Sequence, residues 1–184
     1  MNTPFRMICI GFLLALALTL APGAHAATIT VPCDVNALIS AINTANTNAG
    51  ADTLELAANC AYTLTSVNNT DPLGDNGLPK ITSEITINAR GATIQRNNAS
   101  APDFRFFQVA SGATLRLNDL TLRYGRVITN PKIDGGAILN KGGTVAITNV
   151  TLANNSAGCG GALYNESGTF TATASGFTQN SADG

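Results

Sequence analysis

Six of the seven arginines, Arg90, Arg96, Arg105, Arg116, Arg123 and Arg126, fall in one stretch of the chain. A guanidinium is a planar fork that grips a carboxylate or sulfate through two parallel hydrogen bonds. Brought into line, such side chains would bind a sulfated or uronic polysaccharide. Asp103 and Asp119 share the stretch, so the competing reading is a set of solvated or corner arginines whose alkyl stems cover their neighbours. The candidate surface contacts are Arg105, Arg116, Arg123 and Arg126, with Lys132 in the longer loop around Asn130 and Pro131.

The acids offer less. Asp134 and Asp183 recur at one position of a repeat, but the copy between them carries Cys159 there. That breaks the cluster of oxygen ligands a calcium ion needs. A glycosidase needs two carboxyls roughly 5 to 9.5 Å apart, and Glu55, Glu84, Asp119 and Glu166 belong to different parts of the repeat. The single histidine, His25, lies in a segment expected to be removed. Without it, no Ser-His-Asp triad, Cys-His pair or histidine-bound zinc assembles. No GxxxxGK phosphate loop occurs. The sequence names no catalytic residue, no metal ligand and no cofactor site.

These side chains must be positioned by one domain. The chain has 184 residues, 45% of them hydrophobic and 11% charged, which fits a folded domain and not a disordered chain. Its 10 basic residues against 11 acidic ones provide no basic face for nucleic acid. Residues 1–26 have the make-up of a secretory signal peptide: Arg6 near the start, an apolar run from Ile8 to Leu20, then Pro22-Gly23 and the small-residue triplet Ala24-His25-Ala26. The apolar run is shorter than the ~20 residues a membrane span requires, so cleavage is expected after Ala26. Cys33, Cys60 and Cys159 then enter a compartment that permits disulfides. Cys33 and Cys60 flank a predicted helix and the strand after it, and are expected to pair. Cys159 is left as a thiol within a turn or as half of a bridge to residues outside this chain.

Repetition decides the architecture. Gly135-Gly136-Ala137-Ile138-Leu139-Asn140 returns as Gly160-Gly161-Ala162-Leu163-Tyr164-Asn165, and the alternating stretch from Thr144 to Leu152 returns from Thr169 to Phe177. Both offsets are 25 residues. Earlier copies begin at Thr114 and Ile85, spaced by about 30. Each unit reads as three short strands joined by Asn- and Gly-containing turns. A unit this small buries its apolar face only against copies of itself. The expected fold is all-β, a right-handed parallel β-helix or three-sided solenoid. An antiparallel sandwich also has short, regularly spaced strands, but its strands need not be copies of one another.

Residues 27–83 are expected to hold an N-terminal α-helical cap and a first incomplete coil, and residues 84–184 the β-helix repeats. Asp34 should N-cap a helix carrying Val35, Leu38, Ile39 and Ile42 on one face, with Ala41 and Ala45 beside them. Thr28 to Val31, Thr53 to Leu56 and Tyr62 to Val67 read as strands. Asp183-Gly184 repeats Asp134-Gly135, so the C-terminal end is expected to be uncapped and to continue into further repeats. Asn140 with Asn165, and Asn155 with Asn180, are expected to stack as structural amide ladders.

The glycine boxes, with Phe177-Thr178-Gln179-Asn180 and its partner Leu152-Ala153-Asn154-Asn155, resemble the GGA[ILV] and FxxN motifs of polymorphic outer-membrane protein repeats. From Ala27 onward the chain is similar to bacterial secreted β-helix proteins of the CSLREA type. Cys33, Asp52-Thr53-Leu54-Glu55-Leu56 and Asn76-Gly77-Leu78-Pro79 occupy the places of their cysteine-led helix, strand and turn, while Cys33-Asp34-Val35-Asn36-Ala37 lacks the arginine and glutamate of the naming motif. The resemblance implies export and fold, and transfers no catalytic residue. The resulting expectation is a secreted or cell-surface interaction module for a polysaccharide or host-surface protein, attached to a membrane only through a part outside this chain. A polysaccharide lyase or glycoside hydrolase on the same scaffold, and a spacer for another domain, are the alternatives.

Overall fold

The computed structural model describes residues 25–128 and 134–183. Strand β1 (Thr28–Val31) leads into the helix α1 (Val35–Thr47). Next come β2 (Ala51–Leu56), β3 (Ala61–Leu64), the long bent β4 (Glu84–Arg96), β5 (Phe107–Val109) and a second bent strand, β6 (Thr114–Arg123). The rest are short: β7 (Arg126–Val127), β8 (Ile138–Asn140), β9 (Thr144–Thr148), β10 (Thr151–Ala153), β11 (Ser156–Ala157), β12 (Leu163–Asn165), β13 (Thr169–Thr173), β14 (Gly176–Thr178) and β15 (Ser181–Ala182).

The protein is mostly β with parallel sheets. Every strand ladder among the described residues is parallel, which rules out the antiparallel sandwich for these residues. The register follows the sequence repeat: Val145 pairs with Phe170, Leu152 with Phe177 and Asn140 with Asn165. The two glycine boxes lie side by side, with Gly135 N–H donating to the Cys159 carbonyl at 2.9 Å and Gly136 N–H to that of Gly160 at 3.3 Å.

The unit is richer than expected. From Thr144 to Asn165 it contains four strand segments, β9 to β12, not three. The extra one, β11, is two residues long and joins β7 and β15 in a sheet of their own. Such a segment is too short for a period-2 pattern to reveal it. The strand expected to reach Val67 stops at Leu64.

Alternation along the strands builds the interior. Leu54, Ile87, Leu117 and Ile147 are mutual register partners and all buried, as are Ile85, Leu115 and Val145 in the next row. Few aromatic groups are needed, because each aliphatic side chain packs on a like one above and below. β4 and β6 bend where Arg90 and Asp119 take positive φ values of 52° and 55°. Asn59, Asn149 and Ala174 do the same at the matching corner of other units. Asn and Asp tolerate this conformation; Arg and Ala are rarely held there.

Helix α1 packs on β1 to β4, as a cover for that end. Asp34 caps it, with extended backbone (φ −148°) and Oδ1 accepting the Ala37 N–H at 2.8 Å. The buried face is Leu38, Ala41, Ile42 and Ala45, with Val35 and Ile39 at its half-buried margins. Asn46 ties the helix to the body, donating to the Lys80 carbonyl at 2.7 Å and accepting from Thr82 N–H at 2.9 Å. Cys33 and Cys60 form the expected disulfide, with Cα atoms 5.7 Å apart. Cys159 is a free, half-buried thiol. At the opposite end Phe177 is 49% exposed and meets Phe170 edge-on at 6.4 Å.

Close stacking leaves no room at the glycine boxes. A Cβ on Gly136 would sit 2.0 Å from the Gly161 carbonyl oxygen and 2.7 Å from Ser156 backbone atoms, whereas one on Gly176 would meet nothing within 4 Å. Gly136→Ala is therefore expected to cost about 2–3 kcal/mol in urea denaturation, the upper range for overpacking. Gly176→Ala should stay within about 0.5 kcal/mol. Equal effects would mean that neighbouring units are not in contact at Gly136.

Candidate functional site

The arginines do not form a stripe. Arg105 is fully buried, so it is not a surface contact; it lies within the unbroken buried run from Phe104 to Phe107. Its Nε donates to the Gly135 carbonyl at 3.3 Å and Nη1 to Asn76 Oδ1 at 3.4 Å, while Nη2 donates to the Leu73 carbonyl. Burial pulls the guanidinium down to about 10, against the opposing charges of Asp71, Asp134 and Asp75. It stays charged at neutral pH. Asn76 in turn donates to Gln108 Oε1 at 3.0 Å, and Gln108 and Lys80 both donate to Asp71. Burial alone would push the Asp71 carboxyl up; the hydrogen bonds from Lys80, Leu73 N–H and Gln108, with the Lys80 charge, hold it below its ordinary value.

The remaining candidates scatter. Arg116 and Arg123 sit on the two arms of β6, paired in register with Thr86 and Gln95. Arg116 makes an exposed ion pair with Glu84 at 2.5 Å. Arg123 donates to Gln95 Oε1 at 2.6 Å and lies 5.3 Å from the centre of the Tyr124 ring. Arg126 belongs to a different sheet and reaches Asp103 at 3.5 Å. Lys132, with its loop, lies outside the described residues, as do residues 1–24 of the expected signal segment. Arg96 is buried and donates to the carbonyls of Tyr124 and Ala101 and to Asn98.

The surface that does converge runs along the bend of β4 and β6. Arg90, Gly91, Asp119, Leu120, Thr121, Asn149 and Thr151 line an open groove of about 400 Å³. Left-handed backbone at Arg90, Asp119 and Asn149 turns these three side chains outward at one level of successive units. Arg90 is 57% exposed at its side chain and held by Glu55 at 2.7 Å. Asn149 Nδ2 donates to Asp119 Oδ1 at 2.7 Å. Beside the groove Thr93, Thr121 and Thr151 are register partners in one outward row. Glu55, Asn88 and Asn118 form another, through hydrogen bonds of 2.6 and 2.9 Å. The groove thus offers guanidinium, amide, hydroxyl and one carboxylate side by side. Its recurring signal in the sequence is a polar residue at successive steps of about 30 from Arg90, first Asp119 and then Asn149, just after an alternating stretch.

Each amide ladder joins a buried Asn to a more exposed one in the next unit. Asn140 Nδ2 donates to Asn165 Oδ1 at 2.7 Å and to the Gly143 carbonyl at 3.1 Å. Asn155 Nδ2 donates to Asn180 Oδ1 at 3.0 Å, and its Oδ1 accepts the Gly125 N–H at 2.9 Å. They satisfy turn backbone that would otherwise lie unpaired. Asp134 and Cys159 do align as neighbours. Among the described residues no three His, Cys, Asp or Glu side chains are placed to hold a metal ion, and no helix is long and apolar enough to cross a membrane. Comparisons with protein-family models, curated proteins and solved structures found no match to the chain.

Proposed function

We propose that the chain is an exported right-handed parallel β-helix whose threonine row and corner groove bind a glycan outside the cytoplasm. The three parallel sheets are its faces, units climb by 25 to 33 residues per turn in the observed register, and parallel crossovers are overwhelmingly right-handed. Helix α1 is the cap. A disulfide fits an oxidising compartment, and the Ala24-His25-Ala26 triplet fits export.

The observation that carries the reading is the row Thr93-Thr121-Thr151 bordering the groove of Arg90, Asp119 and Asn149. Successive hydroxyls in such a row stand about 4.8 Å apart, and each is both donor and acceptor. A sugar chain presents the complementary pattern along its length. A hydrolase would need a second carboxylate across the groove from Asp119, and the groove lining contains none. The test is a glycan array probed with the exported chain and with the double variant Thr121→Val, Thr151→Val. A retained glycan should lose about tenfold or more in affinity, ~1.4 kcal/mol. Retention of no glycan, or equal retention by both proteins, would overturn this reading.

A further inference from the structure

Strand β2 places a carboxylate where every later unit places an apolar side chain. Asp52 is register partner to Ile85, which continues through Leu115 and Val145 to Phe170. It is 1% exposed. Its Oδ1 accepts the backbone N–H of Ala27 at 2.6 Å, and its buried Oδ2 has no hydrogen-bond partner among the described residues. A buried carboxylate left half-satisfied and without a counterion is costly.

The surroundings supply no cation. Strands β1 and β2 and helix α1 contain no Lys, Arg or His. Besides Asp52, the charged side chains on these elements and at the adjoining positions are Asp34, Glu55 and Glu84, and Arg90, on the neighbouring β4, is held by Glu55 at 2.7 Å. Lys80 is committed to Asp71 at 2.5 Å, and His25, exposed two residues before Ala27, would leave with the leader on cleavage. What does face Asp52 is the nitrogen of Ala27, the residue that would become the first of the chain on cleavage after Ala26.

We propose that Asp52 is the receptor for the α-ammonium of Ala27, a latch that closes once the leader is removed. The inference rests on the export reading above. Hydrolysis of the Ala26–Ala27 bond adds one water: the Ala26 carbonyl leaves as a carboxylate, and the Ala27 nitrogen takes up protons to become an ammonium. One donor becomes three, with a positive charge. The first continues to serve Oδ1 and a second reaches Oδ2, so the orphaned oxygen gains a charge-assisted bond and the carboxylate a counterion. Little needs to move. Ala27 is already pinned, because Thr53 N–H donates to its carbonyl at 2.8 Å, and His25 and Ala26 lie exposed on the surface. The first coil and its helix are thereby more stable in the processed chain than in the precursor.

The test uses the full chain exported from a bacterial host with its own leader. The N-terminal residue is read by sequencing and intact mass, and the α-amine is titrated by NMR. The same amine is then converted to a ketone by selective transamination, in wild type and in Asp52→Asn. The latch predicts a chain beginning at Ala27, whose α-amine titrates clearly above the ordinary value of about 7.7–8.0. It also predicts that transamination raises the unfolding equilibrium constant of the wild type about tenfold or more, as expected for loss of a buried charged partner, and leaves Asp52→Asn nearly unchanged. If Asp52→Asn does not fold, the wild-type titration decides alone. A chain beginning at Ala27 with an ordinary amine, or an equal effect of transamination in both proteins, overturns the latch and leaves the export reading standing. A chain beginning elsewhere overturns the cleavage reading and the latch with it.

Discussion

Arg105→Ala is expected to lower stability by about 3–5 kcal/mol in urea unfolding, the range for breaking a buried charged network. Two opposing effects decide the size. Removing the guanidinium relieves the burial that pulls its pKa down. It also strips donors from the carbonyls of Leu73 and Gly135 and from Asn76 Oδ1, each costing roughly 1–3 kcal/mol when left unpaired, and opens a cavity at a fully buried position. The losses win. Arg105→Lys should recover only part of the stability, because one ammonium cannot span three acceptors set around a planar fork. An Arg105→Ala protein as stable as wild type would show that the arginine reaches solvent after all. The neighbouring Asp71 adds a pH signature. Its carboxyl is held below the ordinary range, so its contribution is present above the unfolded-state value of about 3.9 and is lost as pH falls through the lower folded value.

Reduction of the Cys33–Cys60 bridge, or replacement of both cysteines by serine, should cost ~3.5 kcal/mol, from the chain-entropy estimate for a loop of 27 residues. That loop holds α1 and β2, so the loss falls on the end the helix covers. Hydrogen exchange in β1, β2 and α1 should accelerate most, while β9 and β13, at the far end, should change little. Uniform acceleration along the whole chain would mean that the helix and the repeats unfold as one unit.

The repeats were legible because they are written twice: Gly135-Gly136-Ala137 and Gly160-Gly161-Ala162 lie side by side through backbone hydrogen bonds, and Thr144 to Thr148 and Thr169 to Thr173 are ladder partners. The helix was legible through Asp34 and its apolar spacing. The two-residue strands β7, β11 and β15 were not, since two residues carry no periodicity. The candidate contact surface misled in a way the sequence partly explains. Arg105 sits in Phe104-Arg105-Phe106-Phe107, a run whose aromatic neighbours demanded burial, but its acceptors at Leu73 and Gly135 are some 30 residues away in either direction. Charge alone counts it as surface. The groove at Arg90, Asp119 and Asn149 depends on left-handed corners, and Arg90 is not a residue type that announces one.

Asp52 is a similar case. Within Ala51 to Leu56 it reads as an ordinary start of a strand; only its register with Ile85 and its contact with Ala27 show that a carboxylate occupies a core position.

The stacking of units underlies the groove, the threonine row and the helix-covered end, and interstrand NOEs from a labelled sample test it most directly. The account predicts parallel-type contacts between backbone amide and α protons joining Leu115 to Val145 and Val145 to Phe170, in the register seen here. Strong α-proton to α-proton contacts between these segments, the mark of antiparallel neighbours, or no contact at these offsets, would contradict it.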